Sequence, residues 1–176
     1  MIVPKYVLAS AVALILAGCS SYAGRDLVTG TSTEAEVVAQ MGVPAASWKA
    51  TDGSRQLAYP RGPEGPHTFM AFFAPDGRLL RIENVLTERH FAQIVPGMSQ
   101  EDVLRLIGPP QPQWSAFFEA RNELVWEWRY CDYGGQMAKL DVLFDGTTQR
   151  VRTTFSRPDY RGKDGIVPPC GQVWGR

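Results

Sequence analysis

Two segments of this sequence repeat one another. An internal repeat restricts the fold to one supersecondary unit built twice. Thr33-Glu34-Ala35-Glu36-Val37-Val38-Ala39-Gln40-Met41-Gly42-Val43-Pro44 runs parallel to Ser99-Gln100-Glu101-Asp102-Val103-Leu104-Arg105-Leu106-Ile107-Gly108-Pro109-Pro110. In both copies a Ser or Thr stands three residues before an acidic residue, the general form of a capping box, although Asp102 is shorter than the preferred Glu. A short apolar helix follows, with Val37, Val38 and Met41 in one copy and Val103, Leu104 and Ile107 in the other. Gly42 or Gly108 then supplies a left-handed stop, and Pro44 or Pro110 prevents continuation.

The correspondence extends downstream. Trp48 and Trp114 lie at equal distances after those glycines. Strand patterns follow: Leu57-Ala58-Tyr59 in the first copy, and Leu124 to Tyr130 in the second, where Leu124, Trp126, Trp128 and Tyr130 alternate. The segments from Phe69 and from Leu140 each end in an Asp-Gly turn, Asp76-Gly77 and Asp145-Gly146, before last strands at Leu79 to Val85 and Val151 to Phe155. A further helix over Thr87 to Ile94 precedes the second copy; its counterpart would fall in Tyr22 to Val28, which is short and weakly periodic. The fold class expected is α+β: two tandem units over 28–86 and 87–158, each a short helix pair on a three-stranded, at most four-stranded, antiparallel sheet. Residues 159–176 read as an irregular tail.

The opening Met1 to Ser20 carries one basic residue, Lys5, then an apolar run from Tyr6 to Ala17 and Gly18-Cys19. That run falls short of the roughly 20 residues a spanning helix needs and ends in small residues, as an export signal does. Leu16-Ala17-Gly18-Cys19 resembles the lipobox of bacterial lipoproteins. The resemblance implies removal of residues 1–18, acylation (palmitate among the chains) of Cys19, a tether over 19–27, and an outer-membrane address facing the periplasm, because Ser20 rather than Asp follows the cysteine. Acylation would anchor the chain to the membrane without a spanning helix.

Charge excludes one large class of partner. The 18 basic residues balance the 18 acidic ones, and loss of Lys5 with the signal leaves 17 against 18, so no basic field exists to attract nucleic acid. With Cys19 lipidated, Cys131 and Cys170 remain in an oxidising compartment, where a spare pair favours a disulfide. Two independent thiols are the competing reading. A metal site is disfavoured, since only His67 and His90 could join the cysteines and no ligand spacing is present.

Ile94-Val95-Pro96-Gly97-Met98-Ser99, the Gly108-Pro109-Pro110 exit and the aromatic strand Trp126 to Tyr130 resemble the BamE (SmpA/OmlA) lipoprotein family. The likeness covers about 87–155 well and about 28–86 more faintly. It implies helices packed on an antiparallel sheet in a protein linked to outer-membrane protein assembly. The tandem arrangement departs from that single-domain family and looks more like the architecture of beta-lactamase inhibitor protein, which grips a partner with sheet and loops.

No G-x-S-x-G, P-loop, H-E-x-x-H or Rossmann pattern occurs, so neither catalytic residues nor a cofactor site are assigned. His67, in a Pro- and Gly-rich hairpin, and His90, beside Arg89 on a short helix, read as surface or boundary residues. Glu127 alternates with the apolar strand face and is expected to face water. The function expected is a non-enzymatic protein-binding module of the cell envelope, acting in outer-membrane protein assembly or as an inhibitor-like scaffold; the alternative is a periplasmic small-ligand or peptidoglycan-binding lipoprotein. Partner contacts are expected on the hairpins 60–67 and 131–136, through Arg61, His67 and Tyr133, with the adjacent Phe117 and Phe118 as a second patch.

Overall fold

A computed structural model of the chain describes residues 24, 26–61, 65–161 and 165–171. The expected signal peptide, Cys19 and most of the tether lie outside the described residues. Two four-stranded antiparallel meanders form the body. In the first unit, α1 (Glu34–Met41) leads to β1 (Ala46–Lys49), β2 (Arg55–Pro60), β3 (Thr68–Phe73) and β4 (Leu79–Asn84). In the second, α2 (Glu88–Phe91) and α3 (Gln100–Ile107) precede β5 (Ala116–Phe118), β6 (Glu123–Cys131), β7 (Met137–Asp145) and β8 (Val151–Pro158). Strand order is sequential in each sheet.

The repeat holds down to details. Both capping boxes close reciprocally, Thr33 with Glu36 and Ser99 with Asp102, so the shorter Asp also reaches back to the N-cap amide. Gly42 and Gly108 end the helices at φ of 87° and 76°, a left-handed backbone that favours glycine. Each N-cap residue bridges to the residue entering the last strand, Thr33 to Arg78 and Ser99 to Arg150. Both sheets carry an irregularity just before the Asp-Gly turn, at Phe72/Phe73 and at Leu143/Phe144.

Each sheet has four strands, the upper count expected, because a short first strand, β1 or β5, precedes the long hairpin. Two expectations need correcting. The two tryptophans share a spacing but not a structure: Trp48 lies within β1, whereas Trp114 closes a 3-10 turn over Pro112–Trp114 before β5. Pro109, Pro110 and Pro112 account for the difference, since proline offers no amide to a ladder and delays the strand. The helix sought in Tyr22 to Val28 is not formed by the described residues there; residues 29–31 make turns, and among the described residues α1 is the one helix of the first unit.

The layers interlock. Alternation gives each sheet two faces. One face of the first sheet packs Leu57, Tyr59, Ala71 and Phe73 against Val37 and Met41 of α1. Its other face gives Ala58 and Met70 to a larger core shared with Phe91 of α2, Val103 and Ile107 of α3, and Trp128, Leu140 and Val142 of the second sheet. The helices of the second unit therefore lie between the two sheets. At Gly108 a β-carbon would come within 2.7 Å of Thr68, and the Trp128 indole N–H donates to the Pro109 carbonyl at 3.1 Å. The stack runs α1, first sheet, α2 and α3, second sheet. No helix of the described residues covers the outer face of the second sheet.

Candidate functional site

That bare face carries the most distinctive chemistry in the molecule. Odd-numbered residues of β6 and β7 point to it. Two positions before the irregularity, the first sheet pairs Ala58 with Met70, whereas the second pairs Glu127 with Asp141. Glu127 does not face open water; it is 6% exposed, because its neighbours close over it. Lys139 Nζ lies 2.8 Å from Glu127 Oε1, Arg157 donates to Glu127 Oε2, and Arg157 Nε donates to Asp141 Oδ2 at 2.7 Å. Asp159, at the start of the tail, forms an ion pair with Arg129 at 2.9 Å and accepts from Arg161 at 3.2 Å. Trp114 caps this end, its ring 4.0 Å from the Arg129 guanidinium and 5.5 Å from Lys139 Nζ. Burial disfavours the Arg157 charge, yet the hydrogen bond and charge of Asp141 outweigh it and hold its pKa above the ordinary guanidinium value.

A cleft of about 530 Å³ opens beside this network. Its middle is apolar, formed by Val125, Leu143 and Phe155, and Trp114 and Phe118 stand along one wall. At the far end Arg121 pairs with Glu123 at 3.0 Å and stacks 4.5 Å over Phe118. Arg152 then joins Asp145 at 2.6 Å. Hydrogen bonds from the Thr148 amide and from Arg152 keep the Asp145 carboxyl well below the usual carboxylate range. Phe118 and Phe155 remain 43% and 47% exposed. The groove is an apolar strip between two ion-paired ends, a surface that offers contact area without an uncompensated buried charge.

Of the partner-contact residues expected from the sequence, the structure brings Phe118 to this groove and the others elsewhere. Phe117 points to the opposite face of β5, against Gly146. Tyr133 is 84% exposed at the tip of the β6–β7 hairpin, and its amide donates to Glu88 at 3.3 Å. Arg61 is not an exposed loop residue: it is 9% exposed, its amide donates to the His67 carbonyl at 3.0 Å, and its guanidinium lies 5.7 Å from the Phe69 ring. His67 stacks on the other partner of that group, 5.9 Å from Phe69, and burial lowers its pKa. His90 is buried rather than at the surface, because α2 turns it inward to Thr87 Oγ1 at 2.8 Å. Both hairpins meet the link between the units: Thr68 at the base of one accepts from the Val85 amide, and Tyr133 of the other reaches Glu88.

Cys131 and Cys170 are bridged, with Cα atoms 5.9 Å apart. The bridge fastens the tail beside β7, where the Met137 amide donates to Pro168 and the Cys170 amide to Gly135, both at 2.8 Å. Asp159 directly follows β8, and its amide donates to the Met137 carbonyl at 3.0 Å, which holds it over Arg129 and Lys139. Sequence reasoning missed Trp114, Asp141, Phe155 and Arg157 as site residues. The signal available was complementary charge at one strand parity, Glu127 and Arg129 in β6 against Lys139 and Asp141 in β7.

Among the described residues no cluster of His, Cys, Asp and Glu could hold a metal ion, and no helix is long and apolar enough to cross a membrane. Comparison with known protein families, with curated proteins and with solved structures finds no match for the chain.

Proposed function

We propose that this chain is a BamE-like, non-enzymatic lipoprotein, anchored to the outer membrane through acylated Cys19 and facing the periplasm, that binds another protein of the cell envelope. The observation that carries the reading is the groove on the uncovered face of the last sheet. Tandem stacking covers the free face of the first sheet with the helices of the second unit, and among the described residues no helix covers the outer face of the second sheet. That face is kept soluble by ion pairs at both ends while Phe118 and Phe155 stay available in the middle. Aromatic anchors within a polar, ion-paired rim are the usual anatomy of a protein-binding surface.

Site-directed photocrosslinking in intact cells tests this reading. A crosslinker at Phe155 or Phe118 is expected to give one discrete adduct shared by both positions, and a crosslinker at the remote, exposed Val43 to give none. Identical adduct patterns from all three positions would overturn it. Phe155→Ala should weaken capture by at least ~1 kcal/mol while changing stability by less than about 0.5 kcal/mol, as exposed substitutions do. Cys19→Ala should release the chain from the membrane fraction or leave its precursor uncleaved; normal processing with unchanged retention would remove the anchor from the proposal.

A further inference from the structure

A second cleft, of about 500 Å³, opens at the seam between the two units and is separate from the groove. It is built from Phe72 of β3, Arg81 and Glu83 of β4, Arg89 and His90 of α2, and Arg105 of α3. Three guanidinium groups meet one carboxylate there, a local excess of positive charge in a chain that is formally neutral. The arginines are positioned rather than loose. Arg81 stacks 3.6 Å from the Phe72 ring, and Glu83 accepts one N–H from Arg81 Nε at 2.9 Å and one from Arg89 Nη2 at 3.1 Å. Arg105 is steadied by Glu101 through its Nε at 2.9 Å. Each guanidinium has five donors, so one bond apiece leaves further N–H groups to offer.

His90 adds an independent observation. The residue is 6% exposed, its Nδ1 is engaged by Thr87, and its Nε2 lies 3.9 Å from Glu83 Oε2, beyond hydrogen-bond length. The ring borders the cleft, with Nε2 on the side of the Glu83 carboxylate. In the tautomer in which Thr87 Oγ1 donates to Nδ1, the neutral ring carries its proton on Nε2 and presents a donor beside the arginines.

We propose that the seam cleft binds a tetrahedral oxyanion of the phosphate-monoester class, held by Arg81, Arg89 and Arg105 with His90 Nε2 as a further donor. Planar guanidinium forks match phosphate oxygens in pairs, and their anchoring by Phe72, Glu83 and Glu101 lowers the ordering entropy lost on binding. The site needs β4 from one unit and both helices from the next. A single unit cannot form it.

The test is a titration of the full chain with inorganic phosphate and with glycerol 3-phosphate at constant ionic strength, followed by NMR of the His90 ring and the arginine Nε–H groups. Saturable shifts confined to His90, Arg81, Arg89 and Arg105 are expected. Arg89→Gln should weaken binding about tenfold, the worth of one charge-assisted contact, and Lys49→Gln, which removes the same charge from an exposed position outside the cleft lining, should leave it unchanged. Equal weakening by both variants, or shifts that never saturate, would overturn the proposal as general screening. Flotation with phosphatidylcholine vesicles, with and without phosphatidic acid, identifies the source of the phosphate in the full chain carrying Cys19→Ser. Capture that needs both phosphatidic acid and Arg89 supports a lipid headgroup, and saturation by the soluble esters without capture supports a free phosphate.

Discussion

The two sheets of this molecule are built to one plan and finished differently. The first is buried on both faces, by α1 on one side and by the helices of the second unit on the other, and it shows apolar residues at both strand parities. The second is buried on one face only, and the bare parity carries Glu127, Arg129, Lys139 and Asp141 in place of residues such as Ala58 and Met70. The position of a unit in a stack therefore decides the composition of its outer face. The first sheet is closed in on both faces, and the second meets water with charge on the face that no helix of the described residues covers.

The comparison breaks most sharply if the first unit is cut free. Residues 28–86 alone would expose the Ala58, Met70 and Val85 face, so this fragment is expected to be unfolded or aggregated. Dispersed amide signals from the isolated fragment would show that the second unit is not a required layer. The next largest effect concerns the staple, since the first unit holds no cysteine and the second closes Cys131 to Cys170 across 39 residues. Cys131→Ser with Cys170→Ser should cost about 3 to 4 kcal/mol in the chain-entropy picture, measured by denaturant unfolding. An unchanged midpoint would mean that the tail adds nothing to the second unit.

Smaller effects sharpen the contrast between the two outer faces. Glu127→Ala removes one ion-pair partner from each of Lys139 and Arg157 and is expected to cost about 2 to 3 kcal/mol, below the ~3–5 of a fully buried pair because Arg157 is 44% exposed and keeps Asp141. Converting Glu127, Asp141 and Arg157 together to Leu, Val and Leu restores the apolar character of the first sheet and should be near neutral in stability. A large loss in that triple variant would mean the network stabilises the fold rather than the solubility of the face. The caps come last, at about 1 kcal/mol each for Thr33→Ala and Ser99→Ala at neutral pH. Their partners have depressed values, Glu36 through the backbone and side-chain bonds of Thr33, Asp102 through the side-chain and backbone bonds of Ser99. A depressed carboxyl stabilises above its unfolded value, near 4.5 for Glu36 and 3.8 for Asp102, and that contribution disappears as pH falls through the folded value. The cost of both substitutions should shrink together in acid; a cost that stays constant to pH about 2 would show that the acidic partner takes no part.

Local chemistry was legible because its causes are local. Thr33 to Glu36, Ser99 to Asp102, the Gly-x-Pro exits and the Asp-Gly turns each act within a few residues, and each formed where the sequence placed it. The four-strand count was less legible, since Ala46–Lys49 and Ala116–Phe118 are too short for alternation to register. The groove was half legible. Phe118 drew notice as one of two adjacent aromatics, but Trp114 stood out only by its spacing and Glu127 read as a solvated charge.

What the sequence determined by itself was the repeated unit, its caps and turns, and the parity that separates the two faces of each strand. Tertiary structure decided what covers each face. A period of two says that Trp128 and Glu127 look in opposite directions, and it cannot say which residues, dozens of positions away, close over either one. Glu127 is buried because Lys139, Arg157 and Trp114 converge on it from three other segments, and His90 because α2 packs inward at the seam. Burial is a property of the assembled layers, and the chemistry of both clefts follows from it.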